Sequence, residues 1–348
     1  MQLFSRDFRY TAKYNFITKN TNPLLVSAKR VVCWGGLLLG ALPMAAQTSP
    51  QPTFACSNGK SYLFQNTPTD AYEIDLLAGT TARKTTGGLI AQTNMNAFGY
   101  NQKDGYIWGQ INGQSKLVRV GSDYSAQAFD FTAPSGYTET GFVVGDVSGS
   151  GTMYLTRGGS AAGGNSTTVI YAVDLTKTPY TATILTSQGG TYVNDWAVSP
   201  IDGNLYTIYS TITNGGVQAN PAKLTLYRFL TSARTVNGVT TPAGTRETLG
   251  TVAGGATPIT ASNFGAVFMD SDGSFYVVAN ATGNIHSIKR PDLLPASDET
   301  TSIAATFITT GPAATTNNND GARCALSRVS AAPLPVTLTS FTATPAPT

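Results

Sequence analysis

Catalysis in this chain would have to rest on very few residues. The sequence holds one histidine, His286, and three cysteines, Cys33, Cys56 and Cys324. A Ser-His-Asp triad could use only His286 as its base. That residue sits in the alternating stretch Ile285-His286-Ser287-Ile288, which reads as the middle of a strand. So few cysteines and histidines cannot fill a typical structural zinc site. Glycine pairs such as Gly87-Gly88 and Gly254-Gly255 lack the Gly-Lys-Ser/Thr continuation of a phosphate loop. No catalytic residue is assigned, and carboxylates and amides are the remaining candidates.

Two groups of these stand out. Asp146-Val147-Ser148-Gly149-Ser150-Gly151 and Asp270-Ser271-Asp272-Gly273 loosely echo calcium loops, where oxygen ligands alternate ahead of a glycine. Both lack the downstream bidentate Glu, and hairpin-turn chemistry accounts for the same residues. Asp146, Asp270 and Asp272 are therefore metal candidates only in that loose sense, and calcium is the one cofactor the sequence suggests. The second group is Asn96, Asp195, Asn263 and Asp320. Each stands at or near the start of a segment that reads as an innermost strand of a repeated unit. Together they could ring one mouth of a central channel and bind a ligand there. The structural alternative is that these side chains bond neighbouring backbone N–H groups at strand starts.

The elements that would position these residues come from a repeat. A turn residue, Gly, any residue, a mostly apolar residue and then Tyr or Trp recur as Asn58–Tyr62, Asp104–Trp108, Ser150–Tyr154, Asp202–Tyr206 and Asp272–Tyr276. The intervals are 46, 46, 52 and 70 residues. Asp-Gly and Asn-Gly supply the positive φ of tight turns. An alternating strand follows each copy, for example Ile170-Tyr171-Ala172-Val173-Asp174-Leu175 and Leu226-Tyr227-Arg228-Phe229. A strand precedes the turn in four copies: Ala97–Tyr100, Gly141–Val144, Trp196–Val198 and Gly265–Phe268. Looser outer strands include Thr183-Ile184-Leu185 and Thr306-Phe307-Ile308. Four strands per unit at this period predict an all-β fold, a β-propeller of four-stranded blades. Five copies imply five blades; a degenerate unit in the longest interval would make six, and seven also stays open. The polar, Gly-rich stretches 214–221 and 235–245 read as surface insertions in the fourth unit.

The first unit lacks an innermost strand. Asp320-Gly321-Ala322-Arg323-Cys324-Ala325-Leu326 resembles the missing piece, so the C-terminal strand is expected to complete that unit. This closure brings Cys324 towards Cys56. Cys33 lies in the N-terminal leader, so Cys56 and Cys324 remain; an even count in an exported chain favours a disulfide, and two buried free thiols are the alternative.

Export is read from the N-terminus. Lys29-Arg30 precedes VVCWGGLLLGALPMAA at residues 31–46, which has the order of a signal peptide with cleavage after Ala46. An uncleaved anchor is the alternative. The domain reading is a signal peptide over 1–46, a propeller over 47–330 and a Pro/Thr-rich linker over 331–348. Six of 22 cations and one of 19 acids precede Gln47, so the remainder carries 16 and 18, a net charge of −2. That argues against a nucleic-acid binder, which needs a basic face. After signal removal no segment approaches the length of a membrane span.

Cys56, Asn96-Ala97-Phe98-Gly99-Tyr100-Asn101, Gly145-Asp146, Asp195-Trp196, Phe264-Gly265-Ala266 and Asp320-Gly321-Ala322-Arg323-Cys324 form a pattern. Over about residues 54–330 it resembles a family of secreted bacterial proteins that carries only an unknown-function label. The resemblance implies a propeller-like fold and transfers no activity. The tail Pro333-Leu334-Pro335-Val336-Thr337-Leu338-Thr339-Ser340-Phe341-Thr342-Ala343 is similar to the linker before sorting domains of proteins exported by the Gram-negative type IX system. That likeness implies a secreted or cell-surface protein of a Gram-negative bacterium. The expected function is a non-enzymatic binding module whose partner is a glycan, a protein or a surface polymer. The rival is a calcium-dependent propeller hydrolase of the lactonase type, using channel-mouth carboxylates, since metal-assisted hydrolysis needs no triad.

Overall fold

Each repeated glycine leads the chain into the second strand of its unit. Gly59, Gly105, Gly151, Gly203 and Gly273 have φ between 73° and 87°, a region where a Cβ is strained. In three repeats the aromatic residue bonds back to a carboxylate at the turn. Trp108 Nε1 donates to Asp104 (2.9 Å), the Tyr206 hydroxyl to Asp202 (2.7 Å) and the Tyr276 hydroxyl to Asp270 (2.8 Å). The ring fills the core while its polar edge finds a partner, a physical reason for Tyr or Trp at that spacing.

The computed structural model describes residues 50–157, 167–189, 193–210, 223–254, 259, 263–297, 299–316 and 318–329. The segments read as signal peptide (1–46), C-terminal linker (331–348) and insertion (214–221) lie outside the described residues. The first unit contains β1 (Lys60–Gln65), β2 (Asp70–Asp75) and β3 (Thr80–Arg83). The second contains β4 (Met95–Tyr100), β5 (Ile107–Ile111), β6 (Lys116–Val120) and β7 (Ala126–Thr132). The third contains β8 (Val144–Val147), β9 (Thr152–Thr156), β10 (Thr167–Asp174) and β11 (Tyr180–Gly189). In the fourth, β12 (Ala197–Val198), β13 (Leu205–Ser210) and β14 (Leu224–Phe229) precede a small hairpin, β15 (Arg234–Val236) and β16 (Val239–Thr241), and then β17 (Arg246–Gly254). The fifth contains β18 (Ala266–Met269), β19 (Phe275–Val278), β20 (Asn284–Ile288) and β21 (Ser302–Thr310), and β22 (Asn319–Ala322) follows. Apart from a 3-10 turn at Pro291–Leu293, the regular elements among the described residues are strands.

Each unit is an antiparallel meander, and β22 pairs antiparallel with β1, Tyr62 opposite Ala322, to complete the first. Hydrogen bonding does not keep all five meanders separate. β7 pairs with β11 and β17 with β21, so the second and third units share one eight-stranded sheet, as do the fourth and fifth. Both joins are parallel, because the last strands of successive meanders run the same way. Some innermost strands lie further along the chain than the sequence reading placed them. β8 begins at Val144, and Gly141 (φ 78°) and Phe142 come before it. Phe142 is fully buried, 4.8 Å from the Tyr171 ring, so side-chain packing claims that residue. The long fourth interval contains the β15–β16 hairpin.

The core is a cycle of interfaces between units. One apolar cluster joins Tyr62 and Phe64 to Phe98 and Tyr100, and the next joins Ala97 and Trp108 to Phe142 and Met153. A third joins Val144 and Ile170 to Trp196 and Phe229, and a fourth joins Tyr206 and Leu226 to Val267 and Phe275. The last joins Phe268 and Tyr276 of the fifth unit to Leu63 and Ile74 of the first. Stacked Phe64 and Phe98, 3.8 Å apart, mark the seam that the C-terminal strand completes.

Cys56 and Cys324 are disulfide-bonded, with Cα atoms 5.4 Å apart and a sequence separation of 268. Closing so long a loop stabilises by roughly 5–6 kcal/mol in the chain-entropy model. Peptide mapping without reductant should recover Cys56 linked to Cys324. Reduction should lower the unfolding free energy by an amount of that order, seen as a lower denaturant midpoint, and an unchanged midpoint would contradict it.

Candidate functional site

The innermost strands β4, β8, β12, β18 and β22 lie side by side in a closed circuit, each against the next and β22 against β4. No ladder pairs them with one another, so the N–H groups on their free edges need other acceptors. Three aspartates supply them. Asp320 of β22 accepts from Phe98 N–H of β4 at 3.0 Å, Asp146 of β8 from Val198 N–H of β12 at 2.8 Å, and Asp195, just ahead of β12, from Val267 N–H of β18 at 3.0 Å. In each case the other carboxylate oxygen accepts from the residue that follows: Gly321, Val147 or Trp196, at 2.7, 2.7 and 2.8 Å. The remaining two seams are closed differently. At Gly99 an added Cβ would stand 2.5 Å from Val147 N, and at Gly145 one would stand 2.6 Å from Ala97 O, so β4 and β8 approach backbone to backbone. Between β18 and β22, Asn280 accepts from Gly265 N–H and from Asn319 Nδ2.

The sequence-predicted residues are thus placed unequally. Asp195 and Asp320 come together at the centre, both buried. Asn96 in β4 is buried, and its Oδ1 has no partner. Asn263 is exposed, and its carbonyl accepts from Asn280 N–H. Among the calcium-loop candidates, Asp146 joins the central pair. Asp270 serves its own turn, accepting from Asp272 N–H, Ser274 N–H and the Tyr276 hydroxyl. Asp272 is ion-paired with Arg328 at 3.1 Å. Among the described residues no group of three or more His, Cys, Asp and Glu side chains is arranged to hold a metal ion. The partnership of Asp146 with Asp195 and Asp320 was missed in the sequence. The available signal was that all three precede a residue in or beside an innermost strand.

Burial dominates the electrostatics of the trio. It pushes the Asp146 carboxyl up to about 7, against the Val198 and Val147 N–H groups that favour the charge. Asp195 and Asp320 are also raised by burial, and repulsion from neighbouring carboxylates adds to it: Asp320 and Asp146 on Asp195, and Asp146 on Asp320.

A cavity of about 390 Å³ lies away from this centre. Tyr137 and Thr138, on the link from β7 to β8, form one side; Thr156 and Arg157, at the end of β9, and Val169 and Tyr171 of β10 form the other. The cavity therefore opens at the end of the third meander where its innermost strand begins. No motif marked it.

Meanders that follow one another around a closed circuit, with a core cluster at every seam, define a β-propeller. Over residues 60–326 the chain matches the model of a family described as a repeat of unknown function (DUF6923), and it belongs to that family. Among curated proteins none matches it. Solved structures with a similar fold include a nidogen/laminin complex, at 12% identity over 74% of this chain and 83% of that chain, with a TM-score of 0.40. Two others have a TM-score of 0.39: a gluconolactonase of Xanthomonas campestris (13% identity, 75% and 80% covered) and the calcium-binding protein regucalcin of Agrobacterium tumefaciens (16%, 73% and 76%). Likeness at this level carries none of their binding or activity to this chain.

Raised carboxyl values make stability depend on pH. Between the unfolded value of ~4 and about 7, the folded chain holds the Asp146 proton that the unfolded chain releases. Stability should therefore fall as pH rises through that window and level off above it. Thermal melting from pH 4.5 to 8 should show the fall. Asp146→Asn should make the fall shallower, with Asp195 and Asp320 supplying the remainder, while costing about 1–3 kcal/mol at pH 5, because an amide cannot accept through both atoms. A wild-type profile that rises with pH would contradict the assignment.

Proposed function

We propose that this protein is an exported five-bladed β-propeller that serves as a ligand-binding module at the surface of, or outside, a Gram-negative cell. Five meanders with five inter-unit core clusters support the blade count. The predicted leader, the linker-like tail and the disulfide support export.

The observation that carries the functional reading is the commitment of the central carboxylates. Catalytic calcium requires several oxygens free to converge on it. Asp146, Asp195 and Asp320 instead turn both oxygens to backbone N–H groups and hold the strands in place. This favours a scaffold role at the channel mouth, with ligand contact at the loops, over the lactonase-type hydrolase. No helix among the described residues is long and apolar enough to cross a membrane.

Two measurements test the reading. Edman sequencing of the exported protein should begin at Gln47. The purified protein should be retained on surface polysaccharide extracted from the producing cells, and should hydrolyse no member of a panel of aldonolactones with calcium present. Calcium-dependent lactone turnover that is lost in Asp195→Asn would establish the hydrolase instead.

A further inference from the structure

The cavity on the third meander carries groups suited to one ligand class. Arg157 is exposed, and among the described residues its guanidinium has no carboxylate partner. Tyr137 stands edge-on to Tyr171, with ring centres 6.0 Å apart, and remains 43% exposed. Tyr171 is buried, and burial raises its hydroxyl above the usual tyrosine value against the pull of Thr138 N–H and Arg157. The walls are ordered before any ligand arrives. Ala133 N–H donates to Glu139 at 3.0 Å and Tyr137 N–H to Pro134 O at 3.1 Å, while Phe142 packs beneath Tyr171.

We propose that this cavity binds a carboxylate-bearing sugar, a uronic acid residue of an acidic polysaccharide; the proposal rests on the binding-module reading. The planar guanidinium of Arg157 matches a carboxylate through two parallel hydrogen bonds. The exposed Tyr137 ring offers a surface for the C–H face of a pyranose. A volume of about 390 Å³ takes one or two sugar rings. An extended peptide fits less well, because β9 is paired on both edges, with β8 and β10, and β10 with β9 and β11. Neither strand has a free edge to which a peptide could add. A helix would need a long apolar groove, and Val169 is the one aliphatic side chain among the residues lining the cavity.

The test is isothermal titration of the exported protein with trigalacturonate, neutral maltotriose and an acetylated tripeptide with a free C-terminal carboxylate. Trigalacturonate should bind at least tenfold more tightly than maltotriose, and more weakly as salt is raised. Arg157→Gln should weaken trigalacturonate at least tenfold and Tyr137→Ala severalfold, with melting temperatures unchanged in both. Absence of trigalacturonate binding at millimolar concentration would overturn the proposal, as would equal binding by Arg157→Gln or equal binding of the tripeptide. If surface polysaccharide is still retained in any of those cases, the uronate assignment fails and the binding module stands. Lactone turnover would instead remove the module reading, whatever Arg157 does.

Discussion

The structure depends on how its innermost strands finish their hydrogen bonding. Each has a partner on one side only, and its other edge faces the innermost strand of a neighbouring unit. An unpaired N–H at the centre of the molecule carries a penalty comparable to a lost hydrogen bond. Carboxylates answer it at three seams, with one oxygen on the local backbone and the other on the next unit. Side chain and main chain together thus do what a continuous sheet would have done. The remaining seams rely on glycine at Gly99 and Gly145, where the backbones touch, and on the Asn280–Asn319 pair.

This solution places three acids together away from water. None of the ion pairs among the described residues reaches them. An isolated buried charge costs several kcal/mol (about 3–5 when its partner is removed), so the carboxyls take up protons instead, and their values rise. A protonated carboxyl still accepts through its oxygens. The geometry of the seams can thus survive the loss of charge, and the electrostatic strain appears as a pH dependence.

Function then moves outward. A fold of this kind fixes its centre by packing and hydrogen bonding and leaves chemistry to its loops. The cavity beside Arg157 and Tyr137 illustrates the division. Its floor is the buried Phe142–Tyr171 contact, which belongs to the core of the third unit, while its rim lies on the links after β7 and β9. The same meander supplies rigidity and an open, polar edge.

Much of the architecture was legible in the sequence because it is written locally. Asp-Gly and Asn-Gly turns need particular backbone angles, strands need alternation, and a Tyr or Trp four residues after a turn carboxylate can reach back to it. These are short-range requirements, so they leave a repeated trace at Asp104–Trp108 and Asp202–Tyr206. The missing innermost strand of the first unit and its counterpart at Asp320 were legible for the same reason; the pairing of Cys56 with Cys324 was expected from the cysteine count and that closure instead. The sequence could not decide what Asp146 does, because its second partner, Val198, is 52 residues away in another unit. Nor could it separate buried Asp195 from exposed Asn263, since burial depends on which neighbouring strands close over a position. The parallel joins of β7 to β11 and β17 to β21 depend on how far the outer strands extend past their own units. Arg157 and Tyr137 are brought into one cavity by two links that share no motif. Those features depend on contacts distant in sequence, and only the tertiary structure decided them.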